Sequence, residues 1–143
     1  MDDILNTLFL GRKFKALLKH SYEPVRKKYD LKQVEIEVLS YLAIFNDATS
    51  TDVYRGLNLN KGHVSQATIH LQENDLIELH INPNDKRSAT YSLTEKGYSV
   101  YSEIMQIYNQ ILSTLFRQIS EKEKGQFLLV SDKVLKNIDT MLA

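Results

Sequence analysis

The stretch Leu59-Asn60-Lys61-Gly62-His63-Val64-Ser65-Gln66-Ala67-Thr68-Ile69-His70-Leu71, followed closely by the alternating Ile77-Glu78-Leu79-His80-Ile81, decides the fold. Asn60 is a good N-cap, because its side-chain oxygen can accept one of the unpaired N–H groups of a first helical turn. Val64, Ala67 and Leu71 then recur at i, i+3 and i+7, a narrow apolar stripe on a helix that is otherwise polar. Such a helix is anchored along one seam and presents a long polar side outward. The alternation over Ile77–Ile81, a turn over Asn82-Pro83-Asn84-Asp85-Lys86, and a second alternating stretch Ala89-Thr90-Tyr91-Ser92-Leu93 predict a β-hairpin.

Upstream, Thr49 with Asp52 has the spacing of a capping box and starts a short helix through Val53, Tyr54 and Leu57, ended by Asn58-Leu59-Asn60. Asp30 with Gln33 has similar spacing and predicts the start of a helix burying Val34, Val38, Leu39 and Leu42 and ending near Asn46. Two short helices with a tight turn and then a hairpin form the winged-helix layout. In it the second helix enters the major groove of DNA and the hairpin reaches the adjacent minor groove.

Long helices flank this lobe. The first runs from about Asp3 to His20 with Ile4, Leu5, Leu8, Phe9, Phe14, Leu17 and Leu18 on a broad apolar side. Pro24 and the basic Arg26, Lys27 and Lys28 mark a bend or a second short helix. Thr94 caps a long helix with a heptad-like seam of Tyr101, Ile104, Tyr108, Ile111 and Leu115, flanked by Met105, Leu112 and Phe116. Ser120 and Glu123 open a last helix carrying Phe127, Val134, Ile138 and Met141. The expected class is mainly α (α+β): a winged helix-turn-helix lobe over 30–97 with a two-stranded wing, between an N-terminal helical region, 1–29, and C-terminal helices, 98–143, in one compact unit.

Composition limits the function. At 143 residues and 43% apolar the chain can fill one ordinary core, and without cysteine it has no disulfide or thiolate metal site. Apolar runs such as Phe127–Val130 are too short to span a membrane, and the acidic Asp2 and Asp3 are unlike a signal peptide, so a cytoplasmic protein without membrane contact is expected. Eighteen basic residues balance eighteen acidic ones; residues 1–30 come to +3, 31–49 to −2, 50–96 to −1 and 97–143 to zero. Affinity for DNA must therefore come from a few placed cations and helix N-termini, with moderate strength and steep salt dependence. His20, His63, His70 and His80 lie on separate elements except for His63 and His70, which sit about 10 Å apart along one helix, too far to share an ion. No phosphate loop, nucleophile elbow or paired carboxylates stand out, and neither an enzyme nor a cofactor is expected.

The wing and its exit, Asp85-Lys86-Arg87-Ser88-Ala89-Thr90-Tyr91-Ser92-Leu93-Thr94-Glu95-Lys96-Gly97, follow the spacing D-x-R-x-x-x-x-x-L-T-x-x-G. With the recognition-helix stretch, they make residues from about Leu31 to Gly97 resemble the MarR family of bacterial transcriptional regulators. The sequence departs from the family pattern at Asn60 (usually Ser), Gln66 (often Arg), Asp75 (usually Gly), and Lys32 and Glu35 (usually Thr and Gln). The resemblance implies a homodimer that binds a pseudo-palindromic operator in double-stranded DNA as a repressor, released by a small aromatic or phenolic effector held between dimer core and lobe.

It also implies that Arg87 enters the minor groove with Asp85 holding its guanidinium, flanked by Lys86 and Ser88. On the recognition helix Asn60, Lys61, Gly62, His63, Ser65, Gln66 and His70 are the candidate contacts, with Ser50 and Thr51 at the start of the preceding helix. Lysine suits guanine or phosphate, glutamine pairs with adenine, and Gly62 admits a close DNA backbone. Any one of these alone would be an ordinary solvated surface group; the set and its spacing point to DNA. The end helices carry more apolar surface than the lobe can cover, so Ile4, Leu5, Leu8, Phe9, Ile111, Leu115, Val134, Ile138 and Met141 are expected to pair two copies. The alternative is a winged-helix dimer serving as a protein-interaction module or anti-repressor without DNA binding.

Overall fold

A computed structural model describes residues 3–143 of the chain, the side chains of Ile4 and Lys86 excepted. The elements run α1 (Asp3–Ser21), α2 (Glu23–Tyr29), α3 (Gln33–Ile44), β1 (Ala48–Thr49), α4 (Ser50–Gly56), α5 (Lys61–Glu73), β2 (Ile77–Asn82), β3 (Asp85–Leu93), α6 (Glu95–Leu115) and α7 (Glu121–Leu142). They fall into two compact units, one up to Ile107 and one from Tyr108 on, with α6 running through the division. No helix among the described residues is long and apolar enough to cross a membrane.

The first unit is built on the stripe that the sequence predicts for α5. Val64 and Leu71 are fully buried and Ala67 nearly so, in one cluster with Ile36, Val38, Leu39 and Leu42 of α3 and Val53 of α4. Leu76, Ile77, Leu93, Val100 and Ile104 complete that cluster. Leu18 of α1, Tyr22 at the junction of α1 and α2, and Val25 of α2 close it on the N-terminal side.

The helices begin largely where the sequence places them. The Thr49 hydroxyl accepts the Asp52 N–H at 3.1 Å while the Asp52 carboxylate accepts the Thr49 N–H at 2.9 Å, the reciprocal bonds of a capping box. These bonds hold the Asp52 carboxyl below its ordinary range. Asn60 accepts from the His63 N–H at 2.8 Å and Thr94 from the Gly97 N–H at 3.0 Å.

The start of α3 differs. Asp30 does not cap it but closes α2 in a left-handed conformation (φ 52°), with the Leu31 N–H returned to the Arg26 carbonyl at 2.9 Å. The N-cap position falls on Lys32, whose backbone N–H donates to the Glu35 carboxylate at 2.6 Å. The same sort of end closes α4 at Asn58 and α5 at Asp75, again in left-handed backbone that Asn and Asp tolerate better than most residues.

The sheet has three strands in the order β1-β3-β2, one more than the two-stranded wing expected. Ala48 and Thr49 pair with Tyr91 and Thr90, a strand of two residues that is too short to leave an alternating pattern. In the hairpin Ile77 faces Leu93 and Asn82 faces Asp85, leaving only Pro83 and Asn84 as the tip, tighter than the five-residue turn expected. Only Ile77 of the alternating set in β2 is buried; Leu79 and Ile81 are 37% and 58% exposed, because the hairpin runs on beyond the core that could cover them.

The exit of the wing explains the spacing L-T-x-x-G physically. Buried Leu93 anchors the end of β3, and the Thr94 hydroxyl donates to the Asp75 carbonyl at 2.6 Å while capping α6. Gly97 then faces the Leu76 carbonyl so closely that a Cβ would overlap it. These contacts lock the end of α5, the base of the wing and the start of α6 into one joint. Further along α6, Glu103 bonds the α2 residues Tyr29 and Lys28, the latter at 2.6 Å, which draws its carboxyl below the ordinary range.

In the second unit, left-handed Gln118 (φ 63°) turns the chain from α6 into α7. Ser120 accepts the Glu123 N–H at 3.1 Å, and Phe116 packs edge-on against Phe127 at 5.8 Å. No residue of α7 is buried within the chain.

Gly97→Ala is expected to destabilise the protein by about 2–3 kcal/mol, because the obstruction is backbone and cannot swing away. Asp75→Gly should stabilise by about 0.5–1 kcal/mol by relieving the left-handed conformation. Urea unfolding measures both, and an unchanged midpoint for Gly97→Ala would contradict the close approach.

Candidate nucleic-acid interface

The outward side of α5 is set by what its inward side buries. At 100° per residue, Gly62 and Gln66 lie about 150–170° round the helix from the centre of the stripe formed by Val64, Ala67, Thr68 and Leu71. Both are exposed, as are Lys61, His63 and Ser65. The first turn of α5 has no acidic residue, so the partial positive charge of the helix N-terminus stands beside Lys61 uncompensated. That end suits a phosphate oxygen. Asn60 is exposed, but its side-chain oxygen already caps the helix.

His70 is placed differently from the rest of the set. Its Nδ1 contacts the carboxylate of Glu35, which is 2% exposed, so the imidazole joins α5 to the start of α3 inside the lobe. With the Lys32 N–H on its other oxygen, Glu35 has a partner on each side. A buried carboxylate without partners would be costly, and these contacts offset that cost. Sequence reasoning noted Glu35 only as a departure from a family pattern; its signal was an acid set among Val34, Ile36, Val38 and Leu39.

Beside this pair opens a cleft of about 720 Å³, walled by Lys15 and Lys19 of α1, Lys32, Gln33 and Glu37 around the start of α3, and His63, Gln66 and His70 of α5. Arg26 frames it by donating to the Lys19 carbonyl and, at 2.9 Å, to the Gln33 side chain. Burial raises the Glu37 carboxyl above its ordinary range, opposed by the Lys15 charge. The α1 wall escaped sequence reasoning, although Lys15 and Lys19, four apart, share one helix side.

On the wing, Arg87 is exposed near the hairpin tip. The hydrogen bonds of Asp85 run to the turn itself. Its carboxylate accepts the Arg87 backbone N–H at 2.9 Å, and its carbonyl accepts from the Ser88 hydroxyl at 2.9 Å. The tight tip brings the N–H two residues on within reach of the carboxylate, so Asp85 shapes the turn and leaves the Arg87 side chain to reach outward. The side chain of Lys86 lies outside the described residues. Ser50 and Thr51 are half-buried in the first turn of α4.

Of the side chains expected to pair two copies, Leu5, Leu8 and Phe9 of α1 are 42–47% exposed, and Val134, Ile138 and Met141 of α7 are exposed too. Leu115 is also exposed, Ile111 is buried within the chain, and the side chain of Ile4 lies outside the described residues.

Comparison with known proteins agrees with this geometry. Residues 31–97 match the family model of a winged helix DNA-binding domain. The HTH-type transcriptional regulator BilQ of Clostridioides difficile is 26% identical over 118 residues, 82% of this chain and 79% of its own length. A MarR/EmrR family transcriptional regulator from Acinetobacter sp. ADP1 superposes with a TM-score of 0.80 at 24% identity, covering 96% of this chain and 97% of that one. The MepR–DNA complex from S. aureus gives a TM-score of 0.73 at 23% identity, over 90% of this chain and 96% of that one.

Gly62→Ala separates stability from binding. A Cβ there would meet only the Asn60 side-chain oxygen at 3.5 Å, so the variant should be as stable as the parent or up to about 1 kcal/mol more stable. Its affinity for DNA should nonetheless fall about tenfold or more, because the methyl stands where a DNA backbone would approach; unchanged affinity in a titration would refute that approach.

The winged helix domain, the polar outward side of α5 and the flanking long helices agree with these comparisons: residues 31–97 form a winged helix DNA-binding domain, and the chain has the fold of MarR-type transcriptional regulators, which it resembles.

Proposed function

We propose that this protein binds a pseudo-palindromic operator as a homodimer and represses transcription until a small aromatic or phenolic effector releases it. The observation that carries the dimer is α7. Phe127, Leu128, Leu129, Val130, Val134, Leu135, Ile138, Met141 and Leu142 are all at least 42% exposed on that one helix, far more apolar surface than a monomer ordinarily leaves in water. On α1, Leu5, Leu8, Phe9, Leu10 and Leu17 are exposed as well. A second copy that covers these helices by two-fold symmetry also sets the separation of two α5 helices, which on one face of B-DNA must be about 34 Å. In this reading residues 1–29 and 98–143 supply the dimer and 30–97 the DNA-binding lobe.

Readout is assigned to Lys61, Gly62, His63, Ser65 and Gln66 in the major groove and to Arg87 in the minor groove, with Lys86 and Ser88 beside it and Asn60, Ser50 and Thr51 toward the backbone. Residues 31–96 carry three more acidic than basic residues, so these few cations hold the complex against an unfavourable background. The cleft beside α5 is the place for the effector. Lys15, Lys19 and Lys32 suit a carboxylate or phenolate, and an occupant would press on His63 and Gln66. An effector that prefers one arrangement of α5 shifts the DNA equilibrium by its differential affinity.

The test is in vitro selection of bound DNA with the purified chain, joined to its mass in solution. A two-fold symmetric site and a dimer at micromolar concentration are the expected results; a monomer, or a failure to enrich any sequence, would refute the proposal and leave the protein-interaction reading. Arg87→Ala should weaken binding mainly to sites with A·T-rich flanks, where the narrow minor groove attracts a cation. Equal loss on all sequences would count against minor-groove readout. Gln66→Ala should relax one position of each half-site, and an unaltered selected motif would exclude it as a reader.

A further inference from the structure

On α5 one side chain fits neither the buried stripe nor the polar surface around it. Ile69 is 52% exposed, and it is the one large apolar residue of this helix that is exposed. It lies about 150° round the helix from the centre of the buried stripe, on the side that carries Gly62 and Gln66. A β-branched residue at an exposed position in mid-helix does nothing for helix propensity and nothing for the core. We propose that Ile69 is a specificity-determining residue that reads the C5-methyl group of a thymine in the major groove.

Its surroundings define what it can meet. Gln66 precedes it by three residues and Ser65 by four, so these side chains are its neighbours on the helix surface, about 5–6 Å away between Cβ atoms. The proposal rests on the reading that this side of α5 enters the major groove. There, the thymine methyl is the apolar group that a base pair offers, and an aliphatic side chain is its natural partner. Base pairs are stacked about 3.4 Å apart, so the thymine lies within one or two steps of the base that Gln66 contacts. The interface thus combines a polar reader and an apolar one on adjacent positions.

Replacing thymine by deoxyuridine removes this methyl and leaves every Watson–Crick and groove hydrogen bond in place. A uracil scan over the selected operator should find one position per half-site at which the parent loses about fourfold in affinity, the value of one buried methyl-sized group. Ile69→Ala should bind the thymine operator more weakly and be indifferent to uracil at that position, while Ile69→Val should keep part of the discrimination. Since Ile69 is outside the core, the thermal midpoints of both variants should match the parent. Binding by both parent and variant with the same uracil profile would overturn the role of Ile69 alone. Failure of the parent to bind any duplex would overturn the underlying DNA reading, and this assignment with it.

Discussion

The burial of one narrow stripe of α5 in a core shared with α3 is the constraint on which the rest depends. Val64, Ala67, Thr68 and Leu71 offer little apolar surface, yet they are almost wholly enclosed, and α3 contributes Ile36, Val38, Leu39 and Leu42 to the same core. A stripe so narrow fixes the rotation of the helix about its axis, since a turn of even one residue would bring a polar side chain into the core. The Glu35–His70 contact adds a polar key at one edge of this packing. What faces outward is therefore decided from within.

The joint at the far end of α5 carries that definition into the wing. Leu76 returns its N–H to the Leu71 carbonyl at 2.9 Å, Thr94 bridges from Asp75 to the first turn of α6, and Gly97 lets that turn lie against Leu76. The end of α5, the hairpin base and α6 are thus held by a few bonds within a short span of sequence. The hairpin itself extends beyond the core, where Leu79 and Ile81 remain exposed and Asp85 shapes the tip that bears Arg87. A wing anchored at its base and free along its length can reach a groove that the lobe does not touch.

Much of this was legible in the sequence because each signal is local. The caps at Thr49, Asn60, Thr94 and Ser120, the stripe of α5 and the alternation of the hairpin each depend on residues within a turn or two of one another. The parts that were not legible depend on partners distant in sequence. The strand Ala48–Thr49 exists because β3 offers it an edge, and Asp30 closes α2 rather than opening α3 because its backbone turns left-handed. The pairing of Glu35 with His70 joins residues 35 positions apart, and the cleft needs α1 laid beside the lobe. Asp75 stands where glycine is usual in the MarR pattern, and its left-handed backbone gives the physical reason a glycine would fit there.

The absence of cysteine allows the outward side of α5 to be mapped by labelling. Single cysteines introduced as Val64→Cys, Ser65→Cys, Gln66→Cys and Lys96→Cys can be followed by their rate of maleimide labelling with and without the selected duplex. Ser65→Cys and Gln66→Cys should label rapidly in the free protein and become strongly protected by DNA, Lys96→Cys should label rapidly in both states, and Val64→Cys should stay unreactive throughout. Rapid labelling of Val64→Cys in the folded protein, or unprotected Ser65→Cys and Gln66→Cys in the DNA complex, would contradict this placement of α5.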